Sequence, residues 1–405
     1  MVAPSHPVRL TVTLCLAEVL GMAGFATFAA LLPGFLDLWT LTKTDGGWLN
    51  GVFFGGYVTA VPVLVTLTDR VAPKRIYLIS MVLTVLAGLG FAFWADGFWS
   101  ALMLRFVAGI GLAGTYMPGM KILGDRLTGR AQSRGVAFYA SHFSIGWSLS
   151  FLIAGFLAGW LDWRWAFGLC ALGPLLATGL VAWGVPADDP AGLAAPQSRL
   201  LDFRPVLACK PAMGYVLAYT VHNFELFAAR SWIVVFLVFA QGVNPGGGPG
   251  WSATLIATVF TLIGMPASVL GNEAAVRAGR IKIIAAVMLA SAAIAAVLGF
   301  AAVLPFPPLV VLCLLYGATV TGDSASITAG VVAVAPPGHR GATMAVHACL
   351  GFIGSSFGPL VFGMVLDASG GGLSPTSWGL AFLAMGAVAA LGPLALAILG
   401  RQKVS

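Results

Sequence analysis

LTVTLCLAEVLGMAGFATFAALL, residues 10–32, runs for 23 positions with a single charged side chain, Glu18. Roughly 20 apolar residues wound as an α-helix cross the ~30 Å hydrocarbon layer of a bilayer, so this stretch reads as a spanning helix. It follows MVAPSHPVRL directly, is too long for a signal-peptide core and is followed by no small-residue cleavage site, so it reads as a retained first span. Comparable apolar runs lie at 46–67, 77–95, 98–119, 136–158 and 165–185, then at 213–239, 252–272, 281–303, 308–333, 342–364 and 378–399. Twelve spans use ~240 of the 405 positions and leave short connections, with no room for a large soluble domain.

Composition agrees. The chain is 59% hydrophobic and 9% charged, with a mean hydropathy of +0.95, whereas soluble domains carry about 25% charged residues. The 52 glycines and 23 prolines exclude a coiled coil, yet membrane helices tolerate both. The expected class is therefore an all-α membrane protein of twelve transmembrane helices. The longest polar interval, PADDPAGLAAPQSRLLDFRPVLACKPAM, divides it into an N-terminal six-helix half at 1–185, a cytoplasmic linker at 186–212 and a C-terminal six-helix half at 213–405.

The net charge of +7 is a topology signal. Of the 21 Lys and Arg, 17 fall on the side that holds both termini and two, Lys43 and Arg164, on the other; Arg105 and Arg230 lie inside spans. The positive-inside rule then puts both termini in the cytoplasm of a cell-membrane protein and removes the case for a nucleic-acid partner. Five scattered cysteines, with no CxxC pair, give no reason to expect a disulfide, a metal site or a cofactor.

The halves repeat. Asp69-Arg70 precedes Arg134-Gly135 by 64 residues, and Arg277 precedes Arg340-Gly341 by 63, which sets a shift of 206 to 207 residues between halves. The same shift carries Glu18 to Glu225. A carboxylate at mid-bilayer costs a few kcal/mol unless it faces a cavity or a partner, so two at equivalent positions mark function. Duplicated halves around a midplane site are a signature of secondary transporters.

At this point the whole chain resembles the major facilitator superfamily of transporters. VTLTDRVAPKR at 65–75 is similar to the family's GxLaDrxGrkr loop at Leu67, Asp69, Arg70, Lys74 and Arg75, and GNEAAVRAGRIK keeps Arg277, Gly279 and Arg280. The resemblance implies conformational gating by Asp69, Arg70 and Arg277, through charge contacts at helix ends that favour the outward-facing state. LRFVAGIGLAG is similar to the family's span-4 RxxqGxg motif at Arg105, Gly109 and Gly111. No match to the glycine-rich nitrate signature is present. The resemblance also implies that spans 1, 4, 7 and 10 line a central cavity, and those spans hold Glu18, Arg105, Glu225, Arg230 and Asp323.

Estimated depths bring Glu18 and Arg105 within ~5 Å along the membrane normal, so a Glu18–Arg105 pair is expected. In YTVHNFELFAARSWIVVF, His222 and Glu225 share one helix face and Asn223 and Arg230 another. A buried glutamate beside a histidine can carry a proton, because a charge is costly away from water. Asp323, in TGDSAS beside Ser324, makes a polar break in an apolar helix. These readings assign proton coupling to Glu18, His222, Glu225 and Asp323, and substrate binding to Arg105, Asn223, Arg230 and Ser324. His142 and His347 read as satisfied core histidines.

The expected function is a non-enzymatic, proton-coupled secondary transporter of a small organic anion, working by alternating access. Its partners are the solute, protons and the lipid bilayer, and it acts as a monomer. No Walker loop is present, which argues against direct ATP coupling. A proton-driven multidrug-type efflux pump is the rival within the class. A non-transporting membrane sensor is the rival outside it.

Overall fold

The computed structural model describes residues 7–68, 70–187, 203–244 and 250–400. The described residues hold helices and no strand. In chain order they are α1 (Pro7–Gly21), α2 (Thr27–Leu38), α3 (Lys43–Leu67), α4 (Pro73–Trp94), α5 (Phe98–Ala113), α6 (Tyr116–Arg126), α7 (Gly129–Trp160), α8 (Trp163–Cys170), α9 (Leu172–Gly184) and α10 (Arg204–Ala208). They continue with α11 (Lys210–Val243), α12 (Ala253–Leu262), α13 (Gly264–Ala278), α14 (Arg280–Leu298), α15 (Phe306–Gly322), α16 (Ser324–Ala333), α17 (Arg340–Ala368), α18 (Pro375–Ala389) and α19 (Leu391–Leu399).

Among the described residues, eleven helical stretches are long and apolar enough to cross a membrane, and α2 is a shorter apolar helix that completes the first span with α1. The twelve-span expectation is met, with ends within seven residues of the apolar runs. Six spans are interrupted, as α1/α2, α5/α6, α8/α9, α12/α13, α15/α16 and α18/α19. An interruption frees backbone groups, and in a bilayer no water is available to answer them.

The first interruption shows how the protein answers. The chain leaves α1 at Gly21 and re-enters a helix at Thr27. The Ser150 hydroxyl, on α7, accepts from the Ala26 N–H at 2.8 Å and donates to the Ala23 carbonyl at 2.8 Å. One side chain thus serves both a freed donor and a freed acceptor, on a span 124 residues away in sequence.

The helices gather into two compact units, one from residues 7–31 with the described part of 52–200, the other from residues 32–51 with the described part of 201–405. The expected linker falls largely on residues 188–202, outside the described residues. Residues 32–51 group with the second unit through close backbone contact. A Cβ on Gly47 would meet the backbone of Pro359 and Leu360, and one on Gly51 would meet the Ser356 carbonyl, so only glycine lets α3 lie this close to α17. Asp367, on α17, caps the start of α3 by accepting from the Lys43 N–H at 3.1 Å, the Thr44 N–H at 2.7 Å and the Thr44 hydroxyl at 2.6 Å.

Within the second unit α11 is the enclosed helix. Of its most apolar window 72% is buried, against 28% for α14, so polar side chains on α11 are withheld from lipid. Elsewhere large apolar groups such as Trp160, Trp183 and Phe93 are exposed, as a lipid-facing surface requires.

Basic residues of the loops also have local work. Lys74 donates to the Ala182 carbonyl at 2.8 Å and the Val185 carbonyl at 2.5 Å, and Arg126 donates to the Pro186 carbonyl at 2.9 Å. Both cations therefore close the C-terminal end of α9, where free carbonyls and the helix dipole favour positive charge.

Replacing Ser150 tests the first interruption. Ser150→Ala leaves one N–H and one C=O unanswered in an apolar setting and is expected to cost about 1–3 kcal/mol, seen as a lower melting temperature of the detergent-purified protein. Ser150→Thr keeps the hydroxyl and is expected to retain most of the stability. Equal melting of the alanine variant and the wild type would remove Ser150 from this role.

Candidate functional site

Glu18 lies on α1, one turn before the interruption at Gly21, and is 5% exposed. Neither of its carboxylate oxygens has a hydrogen-bond partner. Arg105 lies on α5 and is equally buried. Its guanidinium carbon sits 4.7 Å from the Phe53 ring centroid and 5.0 Å from that of Phe28, a geometry in which aromatic faces stabilise the cation. The expected Glu18–Arg105 hydrogen-bonded pair is therefore not formed. Matching depth brought the two near each other, but the guanidinium is held by rings.

What the two groups share is a cavity. It has about 70 Å³ of free space, several times the ~10–15 Å³ that one water requires, and lies wholly within the first unit. Glu18, Thr84, Arg105 and Ala108 supply its wall together with the rings of Phe53 and Phe167. Tyr77 and Tyr139 line the same space. Gly109 and Gly111 of the span-4 motif are not among the residues that line the cavity. They let α5 approach the Phe53 carbonyl of α3 and the Thr84 side chain of α4, which sets where Arg105 stands.

In the second unit the acids and histidines sort differently from their spacing. His222 Nδ1 lies 2.8 Å from Asp323 Oδ1, both side chains being almost fully buried. Asp323 occupies the single residue between α15 and α16, so the helix interruption delivers the carboxylate to α11. His222 Nε2 has no hydrogen-bond partner. Glu225 is not the histidine's companion. It accepts from the Ser291 hydroxyl of α14 at 2.9 Å and the Tyr316 hydroxyl of α15 at 3.0 Å. Both bonds end on the same oxygen, Oε1, and tie α11 to α14 and α15.

The other face of α11 carries Tyr219, Asn223 and Arg230. Tyr219 stacks on His347 of α17, with ring centroids 3.9 Å apart, and lies 5.8 Å from the His222 ring. Gly351, one turn beyond His347, packs against Tyr219 and Asn223, so a larger residue there would displace both. Arg230 is 4% exposed, with its guanidinium 5.8 Å from the Phe227 ring. Ser324 opens α16 and is half-buried. His347 contacts Thr328 at 3.5 Å and keeps a buried Nδ1 without a partner, which departs from the satisfied core histidine expected. His142 is half-buried and bonded to the Phe138 carbonyl of its own helix.

Of the expected gating residues Asp69, Arg70 and Arg277, the structure describes the two arginines. Asp69 lies outside the described residues. Arg70 is exposed in the turn after α3, and Arg277 bonds Glu273 one turn back on its own helix, at 2.8 and 3.0 Å. Sequence reasoning also missed Ser150, Tyr219, Ser291, Tyr316 and Asp367, all uncharged or loop-proximal. The repeat carried the signal for two of them, since it was applied to Glu18 and Glu225 but not to the residues around them.

Comparison with known proteins follows the same lines. A probable 4-methylmuconolactone transporter of Cupriavidus pinatubonensis is 29% identical over 149 residues, covering 35% of this chain and 33% of that protein. The niacin transporter NiaP of Acinetobacter baylyi is 24% identical over 162 residues, covering 40% and 36%. The chain thus spans about a third of the length of these curated relatives. A crystal structure of a bacterial homolog to the human lysosomal transporter Spinster superimposes with a TM-score of 0.79 over 98% of this chain and 99% of that one, at 14% identity, which shows a shared fold. Residues 14–322 match the Major Facilitator Superfamily, and with twelve spans in that fold the chain belongs to this family.

Proposed function

We propose that this chain is a secondary active transporter that carries a small organic anion across the cell membrane in exchange for, or together with, protons. The observation that carries the reading is the cavity in which Glu18, with neither oxygen hydrogen-bonded, faces the same space as Arg105. A carboxylate that has left water without a donor is expensive, so Glu18 calls for a proton or a ligand. Arg105 supplies the opposite requirement, a cation on an aromatic platform suited to a flat carboxylate. Relatives named for niacin and for a muconolactone are consistent with small ring-bearing solutes, niacin being an aromatic acid.

His222 and Asp323 supply a second proton site in this reading. His222 Nδ1 lies 2.8 Å from the Asp323 carboxylate and Nε2 is buried without a partner, so an acid and an imidazole meet where a proton can pass between them. Alternating access moves the solute between the two sides, with both termini in the cytoplasm, a monomer as the working unit and no cofactor in the cycle.

Proteoliposomes test the assignment. Glu18→Gln is expected to abolish accumulation driven by a pH gradient while leaving counterflow, which needs no driving force; retained accumulation would remove Glu18 from coupling. Asp323→Asn is expected to flatten the pH dependence of uptake. Glu225→Gln, whose amide oxygen still accepts both hydroxyls, is expected to keep that dependence, and the opposite pattern would reassign the second proton site. Arg105→Ala is expected to raise the KM for a carboxylate solute by roughly ten- to a hundredfold, from loss of about 1.5–3 kcal/mol of charge-assisted bonding. A thermal-shift screen of nicotinate-like acids against lipophilic cations separates this reading from a multidrug-type pump. Stabilisation by cations alone would overturn it.

A further inference from the structure

The two units repeat in their internal contacts more closely than in their charges. Gly109 approaches the Phe53 carbonyl in the first unit, and Gly317 approaches the Phe260 carbonyl in the second. Gly88 abuts Ala171 in the first, and Gly386 abuts Ala295 in the second, with the small residue exchanged between helices. WRWAF at 163–167 and WGLAF at 378–382 begin corresponding spans. These contacts fix the correspondence as a shift of 207 residues for the second and third spans of each half, 208 for the fourth and 215 for the sixth, and the same shift of 207 carries Glu18 of the first span to Glu225.

Under that correspondence Glu18 matches Glu225, Thr84 matches Ser291, and Ala108 matches Tyr316. The Tyr316 ring has Phe260 at 6.1 Å and Phe382 at 6.2 Å, and its hydroxyl lies 3.9 Å from the Met385 sulfur while it donates to Glu225. The matching positions are Phe53, Phe167 and Cys170. All three, with Thr84, Ala108 and Glu18, line the cavity of the first unit. The cavity therefore occupies the space that a tyrosine ring fills in the other half. Thr84 does not compensate, because its hydroxyl donates at 3.0 Å to the Ser80 carbonyl of its own helix. Glu225 is satisfied by two hydroxyls, and the equivalent Glu18 by none.

We propose that this cavity is a binding site for one hydroxylated aromatic ring, a phenol-type group of the solute, seated where Tyr316 sits in the second unit and donating its hydroxyl to Glu18. Ala108 is then a specificity-determining residue, since its small side chain is what leaves the ring its place. The aromatic walls accept the ring edges and faces, and the carboxylate selects rings that carry a donor over rings that do not. The proposal deepens the reading of the Glu18 cavity as a solute site, but its test uses a neutral probe and so stands or falls apart from the anion reading.

The experiment is fluorine NMR of the full-length protein in detergent with 4-fluorophenol, and fluorobenzene as the ring without a donor. Wild type is expected to bind 4-fluorophenol saturably and fluorobenzene about tenfold more weakly, the value of one hydrogen bond to a charged acceptor. Ala108→Tyr supplies the ring internally and is expected to abolish 4-fluorophenol binding while raising the melting temperature. Equal binding of the two probes, or undiminished 4-fluorophenol binding by folded Ala108→Tyr, would overturn the proposal. Should Ala108→Tyr not fold, the mirror variant serves. Tyr316→Ala opens the same space beside Glu225 and is expected to add a second 4-fluorophenol site, and a folded Tyr316→Ala with one site would refute it. If 4-fluorophenol binds as expected while nicotinate-like acids are neither bound nor carried, the anion reading falls and this one stands.

Discussion

Inside a bilayer no water is available to pair with a freed backbone group or an ionised side chain, and that constraint orders this protein. Each interrupted helix and each intramembrane charge must find its answer within the chain. Ser150 answers the interruption of the first span with one hydroxyl acting as donor and acceptor. Asp323, placed by an interruption in another span, is answered by His222. Arg105 is answered by two aromatic faces, and Glu225 by two hydroxyls. Glu18 has both oxygens buried without a hydrogen bond, and it opens on a cavity.

Glycine makes this economy possible at the helix contacts. Where α3 meets α17, Gly47 and Gly51 bring backbone against backbone, and where α5 meets α3, Gly109 does the same. Such close approach raises dispersion contact where the hydrophobic effect offers nothing, because lipid tails are as apolar as the side chains. It also fixes position. The rings that hold Arg105 and the wall that holds Glu18 are placed by glycines one turn or less from them, so the composition that looked merely permissive is part of the site's geometry.

The repeat explains how one ancestral arrangement supports two outcomes. Glu18 and Glu225 occupy matching positions on matching spans, yet one faces open space and the other is locked between α14 and α15. The difference rests on two substitutions in the surroundings, Ala108 for Tyr316 and Thr84 for Ser291, and on a threonine hydroxyl spent on its own helix. A glutamate's role is set here by the residues around it and not by its own identity.

Much of the fold was legible in the chain. Apolar runs of about 20 residues established a twelve-span membrane protein, because hydropathy acts over whole helices and survives small errors in position. The same property located the intramembrane charges, since each stands out against an apolar background. Which charges meet was a different matter. A hydrogen bond is made or lost within a few tenths of an ångström, and depth along a span fixes neither the rotation of a helix nor the place where it breaks. Only the tertiary structure could turn Glu225 toward Ser291 and Tyr316, bring His222 to Asp323 through a broken helix, and leave Glu18 facing a cavity.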